Sequence, residues 1–282
     1  MNVLGTSLMF DVNTLTLREL CDIGFERGSS DVLVKGGRKP AMKLHSAVHE
    51  LHPDLPIIDE VNARRMILET MNDRQKKIFD ETWEMDLAFE VPGKCRVRCN
   101  IYMAKGCPAV VMRTIPFKIR SLEELGMPSV LGDLTKHKMG LILVTGPTGS
   151  GKTTTLAAML DIVNRERACH LVTIEDPLEY VHFDKAAYIS QREVGIDTLD
   201  FQPALRAALR EAPDVILVGE MRDTTTMGAS LQAGETGHLV FSTVHTSSAY
   251  ETMDRIINMF PPHEKQHLCQ RMANSLRAII AQ

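Results

Sequence analysis

Residues Gly146 to Thr153 read G-P-T-G-S-G-K-T and meet the pattern G-x-x-x-x-G-K-[ST] at every fixed position. The flanks suit it. An apolar run, Leu141-Ile142-Leu143-Val144, comes before it and is short enough to be a buried parallel strand; a helical pattern from Thr154 to Leu160 follows. Strand, glycine loop and helix together let backbone N–H groups and a helix N-terminus wrap a polyphosphate. Gly146, Gly149 and Gly151 allow the backbone to bend tightly and approach phosphate oxygens, with Thr148, Ser150 and Thr154 in the same cradle. Lys152 is placed to bridge the outer phosphates and the Thr153 hydroxyl to ligate Mg²⁺.

A loop of this kind needs a sheet to hold it. Beyond Leu131, apolar strand candidates alternate with helical patterns. The strands are expected at Leu141–Thr145, His170–Ile174, Ala187–Ser190, Val215–Val218 and His238–Thr243; the helices are expected near Thr153–Arg165, Phe201–Glu211, Thr224–Ala233, Ala249–Met259 and His263–Ala281. Such alternation predicts an α/β domain, a parallel sheet covered on both faces, with its ligand at the carboxyl ends of the strands. Three of those ends carry ionisable groups: Glu175, Asp176 and Glu179 after one strand, Glu220, Arg222 and Asp223 after another, and His245 after a third. A nucleoside triphosphatase needs one carboxylate to orient and polarise the attacking water and another to hold Mg²⁺ through its water shell. Glu175 and Glu220 are the favoured pair, while Glu179 and Asp223 read equally well as loop or capping acids. His238 and His245 are seven residues apart, so on one regular strand they point to opposite faces and do different jobs. Arg206 and Arg210 share a helix face, more simply read as a solvated basic stripe than as a contact to a neighbouring subunit.

Residues 1–115 predict a smaller α+β domain with its own core. A short amphipathic helix falls within Thr14–Arg27, a hairpin at Asp31–Lys35 and Ala41–His45, helices capped by Asp59 and Asn72, and three strands at Asp86–Val91, Lys94–Met103 and Ala109–Ile115. Side-chain alternation puts Cys95, Val97, Cys99, Ile101 and Met103 on one face of the middle strand, and Arg96, Arg98, Asn100 and Tyr102 on the other. Arg113 on the next strand can join the arginines. From spacing alone this is a solvated basic face or a guanidinium cluster held against an anion such as ATP phosphates. Residues 116–130, with two prolines and a glycine, read as a linker, and 131–282 form the second domain.

Bulk properties narrow the partners. With 44% apolar and 24% charged residues the chain is globular in composition, and a formal net charge of -4 argues against nucleic acid or an anionic membrane as the main partner. No apolar run approaches the ~18 residues of a spanning helix, so direct membrane insertion is not expected. Met1 to Phe10 has no basic start and Asp11 cuts its apolar run, so no signal peptide is expected. The six cysteines include no C-x-x-C, which suits free thiols in a reducing cytoplasm; Cys95 and Cys99 lack the second half of a zinc site, and no zinc is expected.

Taken as a set, the motifs resemble the secretion-superfamily hexameric ATPases, most closely the pilus-retraction (PilT-like) ATPases of bacterial type IV pili. The resemblance lies in V-T-G-P-T-G-S-G-K-T-T-T-L-A-A-M-L at 144–160, T-I-E-D-P-L-E-Y-V-H at 173–182, Q-R-E-V-G at 191–195, A-L-R-A-A-L-R-E-A-P-D-V-I-L-V-G-E-M-R-D at 204–223 and E-T-G-H-L-V-F-S-T-V-H-T at 235–246. It is looser at S-D-V-L-V-K-G-G, F-E-V-P-G and M-R-T-I-P in the first domain. The resemblance implies a PAS-like first domain and a RecA-like P-loop second domain, with ATP and Mg²⁺ as ligands. Lys152 and Thr153 would hold phosphates and metal, and Glu220 would act at the Walker B strand, with Gly219 where other families have aspartate. Glu175 and Glu179 would assist. His245 would lie near the γ-phosphate and His238 at a subunit contact with the nucleotide site, while Arg96, Arg98 and Arg113 would close on the nucleotide. It further implies a homo-hexamer that powers twitching motility, cytoplasmic and peripheral at the inner face of the inner membrane, acting on a pilus platform protein and the pilus assembly machinery. The family pattern continues past Gln282 into further helices needed for retraction, which this sequence does not include; ATP binding is expected without them. A pilus-assembly or type II secretion ATPase is the nearest alternative, disfavoured by the lack of a four-cysteine insertion. A nucleic-acid translocase on the same core is disfavoured by the acidic net charge.

Overall fold

The computed structural model describes residues 10–45 and 47–282; the reading of the amino terminus rests on residues outside this range, Phe10 and Asp11 apart. Two compact units divide the chain, Met1–Phe117 and Lys118–Gln282.

In the first unit, α1 (Leu17–Glu26) starts at Thr16, whose side chain accepts from the Glu19 amide while Glu19 caps Thr16 in return. Strands β1 (Asp31–Lys35), β2 (Ala41–Leu44) and β3 (Ala47–Glu50) follow. Then come α2 (Glu60–Glu69), capped by Asp59, and α3 (Asp73–Thr82), capped by Asn72. Strands β4 (Glu84–Val91), β5 (Cys95–Ala104) and β6 (Cys107–Pro116) complete an antiparallel sheet in the order β3-β2-β1-β6-β5-β4. The expected alternation on β5 is present: Cys95, Val97, Cys99 and Ile101 are fully buried in the core, and Arg96, Arg98, Asn100 and Tyr102 are not. Burial pushes the Cys95 thiol up to about 11 and the Cys99 thiol upward as well, so both are packed as neutral thiols. Strand β3 had no sequence signal, because all four of its residues are exposed on a sheet edge and none alternates toward a core.

The second unit opens with hydrogen-bonded turns at Ser121–Met127 and α4 (Val130–Leu134). It continues with β7 (Gly140–Thr145), α5 (Lys152–Glu166), β8 (His170–Glu175), β9 (Tyr188–Glu193), α6 (Phe201–Ala208) and β10 (Val215–Val218). The last elements are α7 (Thr224–Glu235), β11 (Leu239–Val244), α8 (Ala249–Met259), α9 (Lys265–Ser275) and β12 (Leu276–Ala281). The sheet runs β12-β7-β11-β10-β8-β9, and its strand pairs are parallel. Both faces are covered. Leu141 and Leu143 pack into one apolar cluster with Ile216 and Met227, while Ile142 and Val144 pack into another with Leu160 and Phe241. Each such side chain, taken wholly out of water, stabilises the fold by about 1.5–3 kcal/mol. This explains why β7, β8, β10 and β11 read as near-continuous apolar runs rather than alternating ones.

Two expectations are corrected. The helix expected over His263–Ala281 ends at Ser275, and Leu276–Ala281 is a strand. The open edge of β7 takes it up, with Ile279 opposite Leu143 and Ile280 opposite Val144, and a short run with adjacent isoleucines suits a strand as well as a helix. The strand expected at Ala187–Ser190 lies at Tyr188–Glu193, longer toward its polar end because β8 sets the register from His170↔Tyr188 to Glu175↔Glu193.

Candidate nucleotide site

The carboxyl ends of β7, β8, β10 and β11 open into one cleft of about 340 Å³. The loop after β7 shapes its floor. Gly146 has φ 153°, and a Cβ there would lie 2.5 Å from Ser150 Oγ and 2.6 Å from the Gln282 carbonyl, so no side chain fits. Gly151, with φ 99°, then turns the chain into α5. Lys152, the first residue of α5, is buried, and its Nζ donates to the Gly146 and Pro147 carbonyls at 2.9 Å each. Burial lowers its pKa, and the carboxylates of Glu179 and Glu220 oppose that shift. Thr148, Gly149, Gly151, Thr153 and Thr154 line the cleft beside it. Ser150 Oγ points away from solvent. The Thr154 hydroxyl bonds the Tyr180 hydroxyl at 2.9 Å, tying α5 to the loop after β8.

Glu175 ends β8, is buried, and lines the cleft with Asp176 and Glu179. Burial pushes its carboxyl up to about 7; hydrogen bonds, including one from Gln191 Nε2 at 3.3 Å, oppose the rise. A carboxyl with a folded pKa above its usual 4.5 favours the folded state most below that value and loses this contribution as pH rises through about 7. Glu175→Gln removes the penalty of the buried charge. The variant is therefore expected to melt above the parent at pH 8, by a margin worth about 1–3 kcal/mol, and level with it at pH 4. Thermal melts at the two pH values check this; an equal shift at both would contradict it.

At the end of β10, the Gly219 amide donates to Ile174 at 2.8 Å and its carbonyl accepts from the Thr243 hydroxyl at 2.7 Å. A Cβ on Gly219 would stand 3.2 Å from the Ile174 carbonyl and 3.3 Å from Glu175 Cα, so glycine here allows the strand bearing Glu220 to lie close beside the one bearing Glu175. Glu220 is largely buried; one oxygen pairs with Arg222 and the other lies 3.5 Å from His245 Nε2. Asp223 accepts from the Thr226 amide as the cap of α7, its ordinary structural role.

His238 does not line this cleft. It precedes β11, with Nδ1 3.0 Å from the Ala233 carbonyl, whereas His245 follows β11 and lines the cleft. The two histidines differ by end of the strand, which a count of faces does not detect. Arg206 is exposed on α6, and Arg210 lies in the turn past the end of that helix. In the first unit, Arg98 and Arg113 are cross-strand partners on the polar face of the sheet and share a depression with Asp31 and Asp86. Arg113 Nε sits 2.9 Å from Asp31, and Arg96 lies two residues before Arg98 on the same face.

Four contributors were given no role from sequence: Tyr180 on Thr154, Gln191 on Glu175 and Arg222 on Glu220, which lie inside the quoted motif stretches, and Gln282, outside them, whose side chain donates to Thr155 Oγ1 at 2.9 Å. Each acts on a site residue through tertiary contact or through a short loop. Among the described residues, no group of three or more His, Cys, Asp and Glu side chains forms a metal cage. The oxygen-rich cleft nevertheless suits Mg²⁺, a hard cation usually held by one or two protein oxygens together with substrate phosphates. Among the same residues, no helix is long and apolar enough to cross a membrane.

The family described as "Type II/IV secretion system protein" matches residues 20–282. The "Type IV pilus retractation ATPase PilT" of Pseudomonas aeruginosa is 46% identical over 268 residues, 95% of this chain and 77% of that one. A "Twitching motility protein" of Neisseria gonorrhoeae is 46% identical over 243 residues, 86% of this chain and 64% of that one. The crystal structure of "the Pilus Retraction Motor PilT and Bound ADP" superposes with a TM-score of 0.89 at 40% identity, covering 94% of this chain and 77% of that one.

Proposed function

The chain belongs to the type II/IV secretion system protein family, and on that premise we propose that it is an ATP-hydrolysing motor that powers type IV pilus retraction. The observation that carries the reading is the convergence of Lys152, Glu175, Glu220 and His245 on one cleft behind a glycine loop. Loop amides and the α5 N-terminus bind the phosphates, and Lys152 exchanges its carbonyl partners for the outer phosphate oxygens. The Thr153 hydroxyl, with the phosphates, would hold Mg²⁺, which when bound would supply charge neutralisation. Glu220, fixed by Arg222 and set beside His245, orients the attacking water, and Glu175, with a proton affinity near neutrality, accepts its proton. Glu179 adds negative charge near Lys152. His245 lies near the γ-phosphate.

Arg96, Arg98 and Arg113 close on a bound nucleotide and release it after hydrolysis, which converts turnover into movement. The working form is a homo-hexamer, with His238 at a contact between subunits. It is a cytoplasmic ring, peripheral at the inner membrane, acting on a pilus platform protein. The likeness to PilT over 95% of the chain supports retraction over assembly. Deleting the gene in its own host tests the direction of movement. Hyperpiliated cells that do not twitch are expected; bald cells would mean that the motor extends pili.

A further inference from the structure

We propose that Gln191 is a positioning residue for turnover: its side-chain amide holds the Glu175 carboxylate and the loop after it in one arrangement within the cleft. The inference rests on the reading above in which Glu175 takes part in hydrolysis.

The geometry is that of a clamp. Gln191 lies on β9, on the same sheet face as Thr173 and Glu175 of the neighbouring strand, so its side chain reaches diagonally to the strand end. Nε2 donates to Glu175 Oε1 at 3.3 Å and to the Tyr180 carbonyl at 2.9 Å, while Oε1 accepts from the His182 amide at 2.7 Å. Both N–H groups and the carbonyl of one amide are thus engaged, each by a different residue between 175 and 182. The same loop carries Tyr180, whose hydroxyl meets Thr154 on α5. One side chain therefore ties a candidate proton acceptor to the loop that leans on the phosphate-binding helix. A carboxylate free to rotate would spread its attack geometry, and small misplacements are costly in rate.

The donor also sets the charge state of Glu175, because a hydrogen bond to the ionised form favours that form. The groups facing Glu175 are Glu179 from its own loop, Lys152 from α5, Glu220 and His245 from the ends of β10 and β11, and Glu193, its register partner on β9. From α6 the cleft receives Phe201, which is uncharged. Acids outnumber bases in this set, and Lys152 also faces Glu179 and Glu220, so it does not replace the lost donor.

The test uses the full-length gene product, with steady-state Mg-ATP hydrolysis from pH 5.5 to 9 and separate titration with a fluorescent ATP analogue. Gln191→Met keeps the length and removes both donor and acceptor. It is expected to lower kcat about tenfold or more, leave nucleotide affinity within about threefold, and move the acidic limb of kcat/KM up by about 0.5–1 pH unit. Gln191→Glu keeps the acceptor for the His182 amide but loses the donor to both Glu175 and the Tyr180 carbonyl and sets a second carboxylate beside Glu175, so kcat falls and the acidic limb moves up at least as far. A merely structural role would move stability or affinity but not the pH limb. Native kcat and an unshifted profile in both variants would overturn the proposal. Glu175→Gln separates the two levels. If it turns over at the native rate, the role of Glu175 fails and this inference with it. If it is slow while both Gln191 variants are native, only the clamp fails.

Discussion

Lys152→Ala is expected to abolish ATP turnover, with a loss of about 10³-fold or more, and to remove measurable retention of nucleotide. Lys152 Nζ is buried, and its two acceptors are carbonyls of the same loop, Gly146 and Pro147, which neutralise none of its charge. The carboxylates of Glu179 and Glu220 act on it, though burial is the larger influence and lowers its pKa. A polyphosphate supplies the anionic partner that carbonyls do not, and a charge-assisted bond in a partly desolvated cleft is roughly twice as strong as a neutral one. Equilibrium binding of a fluorescent nucleotide, with phosphate release measured alongside, checks this. Lys152→Met serves as a control for packing, since it fills the same space without the charge. If either variant binds ATP as the parent does, the loop is not the phosphate site.

Glu220→Gln has the second large effect, in a different quantity. Binding is expected to survive within about threefold, while turnover falls by about 10²–10³-fold, because the phosphate-binding loop is untouched and only the acid at the reacting end changes. Glu220 is held at both oxygens, by Arg222 and next to His245. The amide keeps the shape and can still accept from one of them, but it removes the negative charge that orients water. Pre-steady-state phosphate release, read with nucleotide affinity, separates the two quantities. Hydrolysis by Glu220→Gln at the native rate would remove Glu220 from the chemistry.

Some of this arrangement is legible before any coordinates. The glycine loop is a local device: its bend needs positive φ at Gly146, Gly149 and Gly151, and that need is written in consecutive residues. The strands of the second unit show as short apolar runs because both of their faces are covered. The two faces of β5 show as strict alternation because only one of them is. In each case, burial repeats with the period of the backbone, and a period can be read from sequence.

What the sequence by itself determined is therefore the phosphate loop, the α/β class of the larger unit, and the acids waiting at its strand ends. Only the tertiary structure decided that residues 276–281 extend rather than coil, because the unsatisfied edge of β7 offered them backbone partners. It alone set His238 against the Ala233 carbonyl and His245 beside Glu220, and brought the amide of Gln191 to the carboxylate of Glu175 from sixteen residues away. Contacts between neighbouring strands depend on register, and register is settled by the packing of the whole sheet rather than by any one segment of chain.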